Sequence, residues 1–133
     1  MSGGVDRRAL LLSLGGGALA AAAALTGCSK KPALKPTQAL VPLSQVPKEG
    51  RTKILVAGRP VELRRTETGV AARSLLCSHF GCTVAWHAER DAYLCPCHEG
   101  VYDAAGGVVS GPPTKGLADV PVEVHGDDLV VGA

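Results

Sequence analysis

Large aromatic side chains are almost absent from this chain: its 133 residues include one Phe, one Trp and two Tyr. That excludes a wide hydrophobic core and points to a small fold in which covalent or metal staples matter. Long runs of one charge are also missing, and 14 basic against 12 acidic residues leave a formal net charge of +2. The basic stripe of a dedicated nucleic-acid binder is therefore excluded. Balanced charge and 46% apolar content likewise exclude a wholly disordered chain. Past residue 50 no long segment has helical periodicity, and no repeat extends beyond two short cysteine and histidine boxes. Nor is the cysteine count even: five cysteines cannot form a pure disulfide framework, so one must do something else.

What is present begins with an export pattern. Arg7 and Arg8 precede an uncharged stretch, Ala9 to Gly27, made of Ala, Leu, Gly, Ser and Thr and followed by Cys28. A basic start and an apolar run of this kind mark a secretory signal. The paired arginines and the weakly apolar, glycine-rich run resemble a twin-arginine signal. Leu25-Thr26-Gly27-Cys28 resembles the lipobox of bacterial lipoproteins, in which the cysteine is acylated and becomes the mature N-terminus. A retained membrane helix is the competing reading, since about 20 apolar residues span a bilayer, although Gly15 to Gly17 weaken a helix. A buried helix is the blandest alternative. The first two place everything after Cys28 outside the cytoplasm, where disulfides persist.

Three regions are expected: residues 1–27 as signal or membrane segment, 28–50 as a lipid-anchored tether, and 51–133 as a folded domain. The tether carries Pro32, Pro36, Pro42 and Pro47, which favour extended chain reaching on the order of 60 Å at the polyproline rise. Lys30, Lys31 and Lys35 suit anionic headgroups or mere solvation. In the domain, β-compatible runs over 52–57, 60–65, 70–76, 83–87, 92–94, 120–125 and 129–131 alternate with glycine-rich turns. A small antiparallel all-β domain is predicted.

The chemistry lies in two boxes, Cys77-Ser78-His79-Phe80-Gly81-Cys82 and Cys95-Pro96-Cys97-His98-Glu99-Gly100-Val101-Tyr102, with 12 residues between them. Zinc takes Cys₂His₂ sets, but Cys-x-His spacing is unusual for zinc modules, and two cysteines would be left over. An unmetallated disulfide module is the other bland reading.

Taken together, the boxes resemble those of Rieske 2Fe-2S proteins, specifically the disulfide-containing branch found in cytochrome bc-type quinol-oxidising complexes, over about Leu76 to Leu117. The resemblance implies a small Rieske-type β domain with a two-loop cluster-binding subdomain. It implies that Cys77 and Cys95 hold one iron of a 2Fe-2S cluster, that His79 and His98 hold the other at the exposed tip, and that Cys82 and Cys97 form a disulfide tying the loops. Histidine ligation places such clusters at roughly −150 to +300 mV, against about −400 mV for all-cysteine ferredoxins. Tyr102 matches the tyrosine whose hydroxyl bonds a ligating cysteine, here Cys77. Gly100 stands where high-potential members carry a serine donor to a bridging sulfide, which implies a lower potential and makes menaquinol or another low-potential donor plausible. Gly111-Pro112-Pro113 resembles the proline loop that shields the cluster, with Pro112 the residue singled out.

The implied function is extracytoplasmic, membrane-tethered one-electron transfer, with a quinol donor and a cytochrome b/c-type or other redox partner. In a quinol-oxidising complex, His79 or His98 would accept a hydrogen bond from quinol and take its proton, and the tether would let the domain shuttle. The alternative is a subunit or stand-alone lipoprotein serving another extracytoplasmic oxidoreductase, such as a molybdenum enzyme resembling arsenite oxidase. Rieske ferredoxins that feed ring-hydroxylating oxygenases normally lack the disulfide pair and the export signal. His87, His125 and Glu99 are expected at the surface, Trp86 and Tyr93 in the core, and no carboxylate is given an acid or base role.

Overall fold

Short alternating runs with few bulky groups build short strands, and the computed structural model, which describes residues 30–132, contains eleven of them and no α-helix among those residues. Residues 1–29, with the export pattern and Cys28, lie outside the described residues, as does Ala133. The strands form three antiparallel sheets. The predicted all-β class is the observed one.

Strands β2 (Arg51–Val56), β3 (Arg59–Thr66) and β4 (Gly69–Ser74) form a meander, joined at its far edge by β9 (Asp119–Val120). The β2–β3 hairpin turns on Ala57 and Gly58, both at positive φ, which matches the twist of the flanking strands. A second sheet orders β1 (Ala39–Pro42), β11 (Asp128–Val131) and β10 (Val122–His125). Val41, Val46, Val56, Val61, Leu63, Ala72, Leu129 and Val131 make a core of small aliphatic groups from these two sheets. The third sheet, β5 (Ala85–His87), β6 (Ala92–Leu94), β7 (Val101–Asp103) and β8 (Val108–Ser110), carries the boxes.

Part of the expected tether is folded. Residues 39–42 pair with β11, Leu43–Gln45 form a 3₁₀ turn, and Val41 and Val46 are buried. Arg65 fastens this stretch, donating to the carbonyls of Val46 at 3.2 Å and Leu43 at 2.9 Å. Pro42 is tolerated because β1 is an edge strand. The run 120–125 is also divided. Pro121 cannot donate to a ladder, and around it the chain passes from β9, paired with β4, to β10, paired with β11.

Candidate metal centre

A second core underlies the third sheet and is made of Leu75, Cys77, Val84, Tyr93, Cys95, Tyr102 and Leu117. Two of its members are the box cysteines that the disulfide leaves free. Core and site thus coincide.

The first box is a turn closed on itself. Cys77 N–H donates to Cys82 O at 2.7 Å, Gly81 N–H donates to Cys77 O at 2.9 Å, and Leu76 and Thr83 bridge at its base. Gly81 sits at φ +76°, where a side chain is strained. The second box is the loop between β6 and β7, closed by Cys95 N–H donating to Gly100 O at 2.8 Å. Cys82 and Cys97 are joined by a disulfide, with Cα atoms 6.5 Å apart, so the two loops are covalently tied.

The rings of His79 and His98 meet edge to face, with centroids 4.9 Å apart. Exposed Phe80 lies 4.0 Å from the His79 ring and 5.7 Å from that of His98. His98 is exposed and His79 half-buried. Nδ1 of His79 is nonetheless shut from solvent and has no hydrogen-bond partner, which costs roughly 1–3 kcal/mol unless a ligand meets it. Cys77 and Cys95 are free and buried, at 4% and 3% exposure. A solvent-shielded imidazole nitrogen and two buried thiols on the same pair of loops suit a group bound by both nitrogen and sulfur.

Burial opposes ionisation of the Cys77 thiol, but the Tyr102 hydroxyl, the backbone N–H groups of His79 and Phe80, and Cys95 outweigh it, holding the pKa below the ordinary thiol value. A metal-binding cysteine needs the thiolate. The Tyr102 hydroxyl is 3.1 Å from Cys77 Sγ and accepts from Ser78 N–H at 3.1 Å. Burial, followed by the Cys77 contact, raises the Tyr102 pKa, so the phenol keeps the proton that it offers to the thiolate. Ser78 Oγ donates to Lys115 O at 2.5 Å, fastening the proline loop to the first box.

Among the described residues, the ligand atoms of Cys82, Cys95 and Cys97 form the group of three that closes within 4.8 Å. Two of these sulfurs are spent in the disulfide.

Residues 37–121 match the family model described as the Rieske [2Fe-2S] domain. The chain belongs to the Rieske family. It is an iron–sulfur electron-transfer protein, and its cofactor is a Rieske-type 2Fe-2S cluster. It is related to the cytochrome b6-f complex iron-sulfur subunit of Synechococcus sp. (strain RCC307), with 45% identity over 56 residues, 42% of this chain and 32% of the relative. The match thus spans about a third of that curated relative's length. Among solved structures it is similar to the cyanobacterial plasma membrane Rieske protein PetC3 from Synechocystis PCC 6803, at 29% identity and TM-score 0.53, covering 63% of this chain and 87% of that one. It is also similar to the ferredoxin of carbazole 1,9a-dioxygenase from Nocardioides aromaticivorans IC177, at 30% identity and TM-score 0.51, covering 72% and 97%.

Two features around the site were not read from the sequence: which proline of the loop turns inward, and a polar knot centred on Arg51. Pro112 is exposed, and the buried proline of the pair is Pro113. Beneath the cluster subdomain, the Arg51 guanidinium stacks 3.7 Å over Trp86 and donates through Nη1 to Glu62 at 2.7 Å and to the Tyr93 hydroxyl at 2.6 Å. Tyr93 in turn donates to Glu62 at 2.5 Å. This knot joins β2 and β3 to β5 and β6. Trp86 and Tyr93 are packed together as expected, but Tyr93 is also a polar tie. The one hint in the sequence is that Trp86 and Tyr93 stand seven residues apart in a chain with only four aromatics.

Proposed function

We propose that this chain is a membrane-tethered, extracytoplasmic one-electron carrier, acting as the iron–sulfur subunit of a quinol:cytochrome c reductase-like complex. The observation that carries the reading is the meeting of the His79 and His98 rings, each borne on the same loop as one of the two buried free thiols, Cys77 and Cys95. In this reading Cys77 and Cys95 bind one iron as thiolates, and His79 and His98 bind the other. The cluster supplies reversible one-electron exchange at the moderate potentials of histidine-ligated centres, roughly −150 to +300 mV.

The chain's own groups do the rest. Tyr102 stabilises the Cys77 thiolate, the Cys82–Cys97 bridge holds the two loops in register, and buried Pro113 packs at Gly100, next to Cys95. Inward Nδ1 of His79 leaves Nε2 as that ring's nitrogen for a partner, and exposed His98 offers a second. Either nitrogen would be placed to accept a hydrogen bond, and with it the proton, from a quinol hydroxyl, the electron exchange being what the cluster held by these four residues would supply.

Export through 1–27 and acylation at Cys28 supply the tether. Little of its length is spare, because Lys35 and Gln38 already bond one another and residues 39–46 belong to the fold. Even fully extended, the seven residues from Cys28 to Leu34 could span no more than about 25 Å. Donor and acceptor therefore approach within a few tens of ångströms of the anchor, a condition met inside one membrane complex.

A second reading keeps the same centre in a subunit serving another extracytoplasmic oxidoreductase, such as an arsenite oxidase-like molybdenum enzyme. Gly100, which offers no hydroxyl donor, favours it. The likeness to a dioxygenase ferredoxin extends to the fold, but the Cys82–Cys97 bridge supports the disulfide-containing branch. Purification of the native protein from detergent-solubilised membranes separates the two readings. A b-type cytochrome travelling with it supports the first, and a molybdopterin enzyme replaces it with the second.

A further inference from the structure

Gly100 is buried at the end of the second box. A Cβ there would stand 2.8 Å from Cγ and 3.1 Å from Cδ of Pro113, and 3.4 Å from Cβ of Cys95. The proline ring is closed onto its own backbone, so beyond a change of pucker neither near atom can swing away as the end of a flexible side chain could. The opposite wall is equally close. Gly111, at φ +91°, brings its own Cβ position to 2.8 Å from Gly100 Cα and 3.0 Å from Glu99 O. Two backbone segments thus meet without a side chain between them, and the Pro113 ring fills the space that a residue-100 side chain would take.

We infer that Gly100 is a positioning residue that seats Pro113 over Cys95, so that a side chain at position 100 and a closed proline loop exclude one another in this chain. The glycine is then more than a missing donor. It is the condition for keeping water off the Cys95 face of the site, and a serine hydroxyl cannot be accommodated with the loop in place. The inference rests on the proposed role of Cys95 as a ligand.

Gly100→Ala decides it, because alanine adds bulk without a donor. The holoprotein's visible absorbance is followed during warming, with its reduction potential measured in parallel. G100A should lose its absorbance roughly tenfold faster than wild type, as overpacking against a rigid ring predicts, and G100S should behave like G100A. The potential of G100A should rise, because admitted water favours the more negative reduced centre. P113A, which opens the same face, should show both changes, and G100A/P113A should match P113A alone rather than sum the two effects. Should G100A fail to fold, recovery of folded protein in the double variant supports the inference and absence of recovery overturns it. Wild-type loss rate and potential in G100A, or additive effects in the double variant, overturn it as well. A wild-type protein that binds no iron instead refutes the site reading beneath it, so the two failures are distinguishable.

Discussion

The hydroxyl of Tyr102 lies 3.1 Å from Sγ of Cys77, inside the subdomain core and not at its surface. A donor here favours whichever redox state carries more negative charge on sulfur. Tyr102→Phe removes the donor while keeping the ring that packs beside Cys77. If the bond favours the reduced state by roughly 1.4 kcal/mol, within the range for hydrogen bonds to charged groups, the one-electron potential falls by about 60 mV. Spectroscopic redox titration of the variant checks this, and an unchanged potential with an intact cluster contradicts it.

The Cys82–Cys97 bridge closes a loop with a sequence separation of 15. Chain-entropy arguments assign such a bridge about 3 kcal/mol, a large share of the stability of so small a domain. Replacing both cysteines by serine should lower the thermal midpoint markedly and speed loss of iron. Calorimetry with iron analysis measures both, and a double variant as stable as wild type would refute the role given to the bridge.

Arg51 and Glu62 are paired where their side chains are 17% and 6% exposed. Arg51→Ala leaves the Glu62 carboxylate buried beside Tyr93 without its cation, a loss of about 3 kcal/mol for a buried pair. Denaturant unfolding should report that loss. Arg51→Lys should recover little of it, because an ammonium cannot reproduce the stacked guanidinium over Trp86.

Tyr93 also sets a pH dependence. Burial, then the Glu62 carboxylate, pushes its pKa up to about 12, against about 10 in an unfolded chain. The folded state therefore holds this proton more tightly. Its contribution is full below pH ~10 and is lost as pH rises toward ~12. Stability against urea should fall across that window, and Tyr93→Phe should flatten this part of the slope. A wild-type profile without a slope there contradicts the assignment.

Both boxes were legible in the sequence because each is local. Cys77 to Cys82 and Cys95 to Gly100 close through their own backbone bonds, so residue spacing along the chain carries the geometry. Strand β1 was not, since Pro42 and the prolines flanking the strand read as tether and only pairing with β11, some ninety residues away, makes it a strand. Pro113 rather than Pro112 turns inward, following Gly111 at positive φ, and a Gly-Pro-Pro string reveals neither. The Arg51 knot was hidden for a similar reason: its partners lie 11 and 42 residues away and meet only when two sheets pack.

Arg65 decides how long the tether is. Arg65→Ala removes both bonds to the 43–46 carbonyls, at about 1 kcal/mol each. Limited proteolysis should then cut within 39–46, while the second core stays protected. Cleavage no faster than in wild type would place the tether's end elsewhere.

The central claim is that two histidines and two cysteines of this chain hold one two-iron centre. Pulsed electron paramagnetic resonance on the reduced, purified protein, alongside iron and acid-labile sulfide analysis, tests it most directly. The account predicts two iron and two sulfide per chain, a signal that arises only on reduction, and nitrogen couplings from two imidazoles. Stoichiometric zinc in place of iron, or a reduced iron–sulfur signal without imidazole nitrogen, would contradict it.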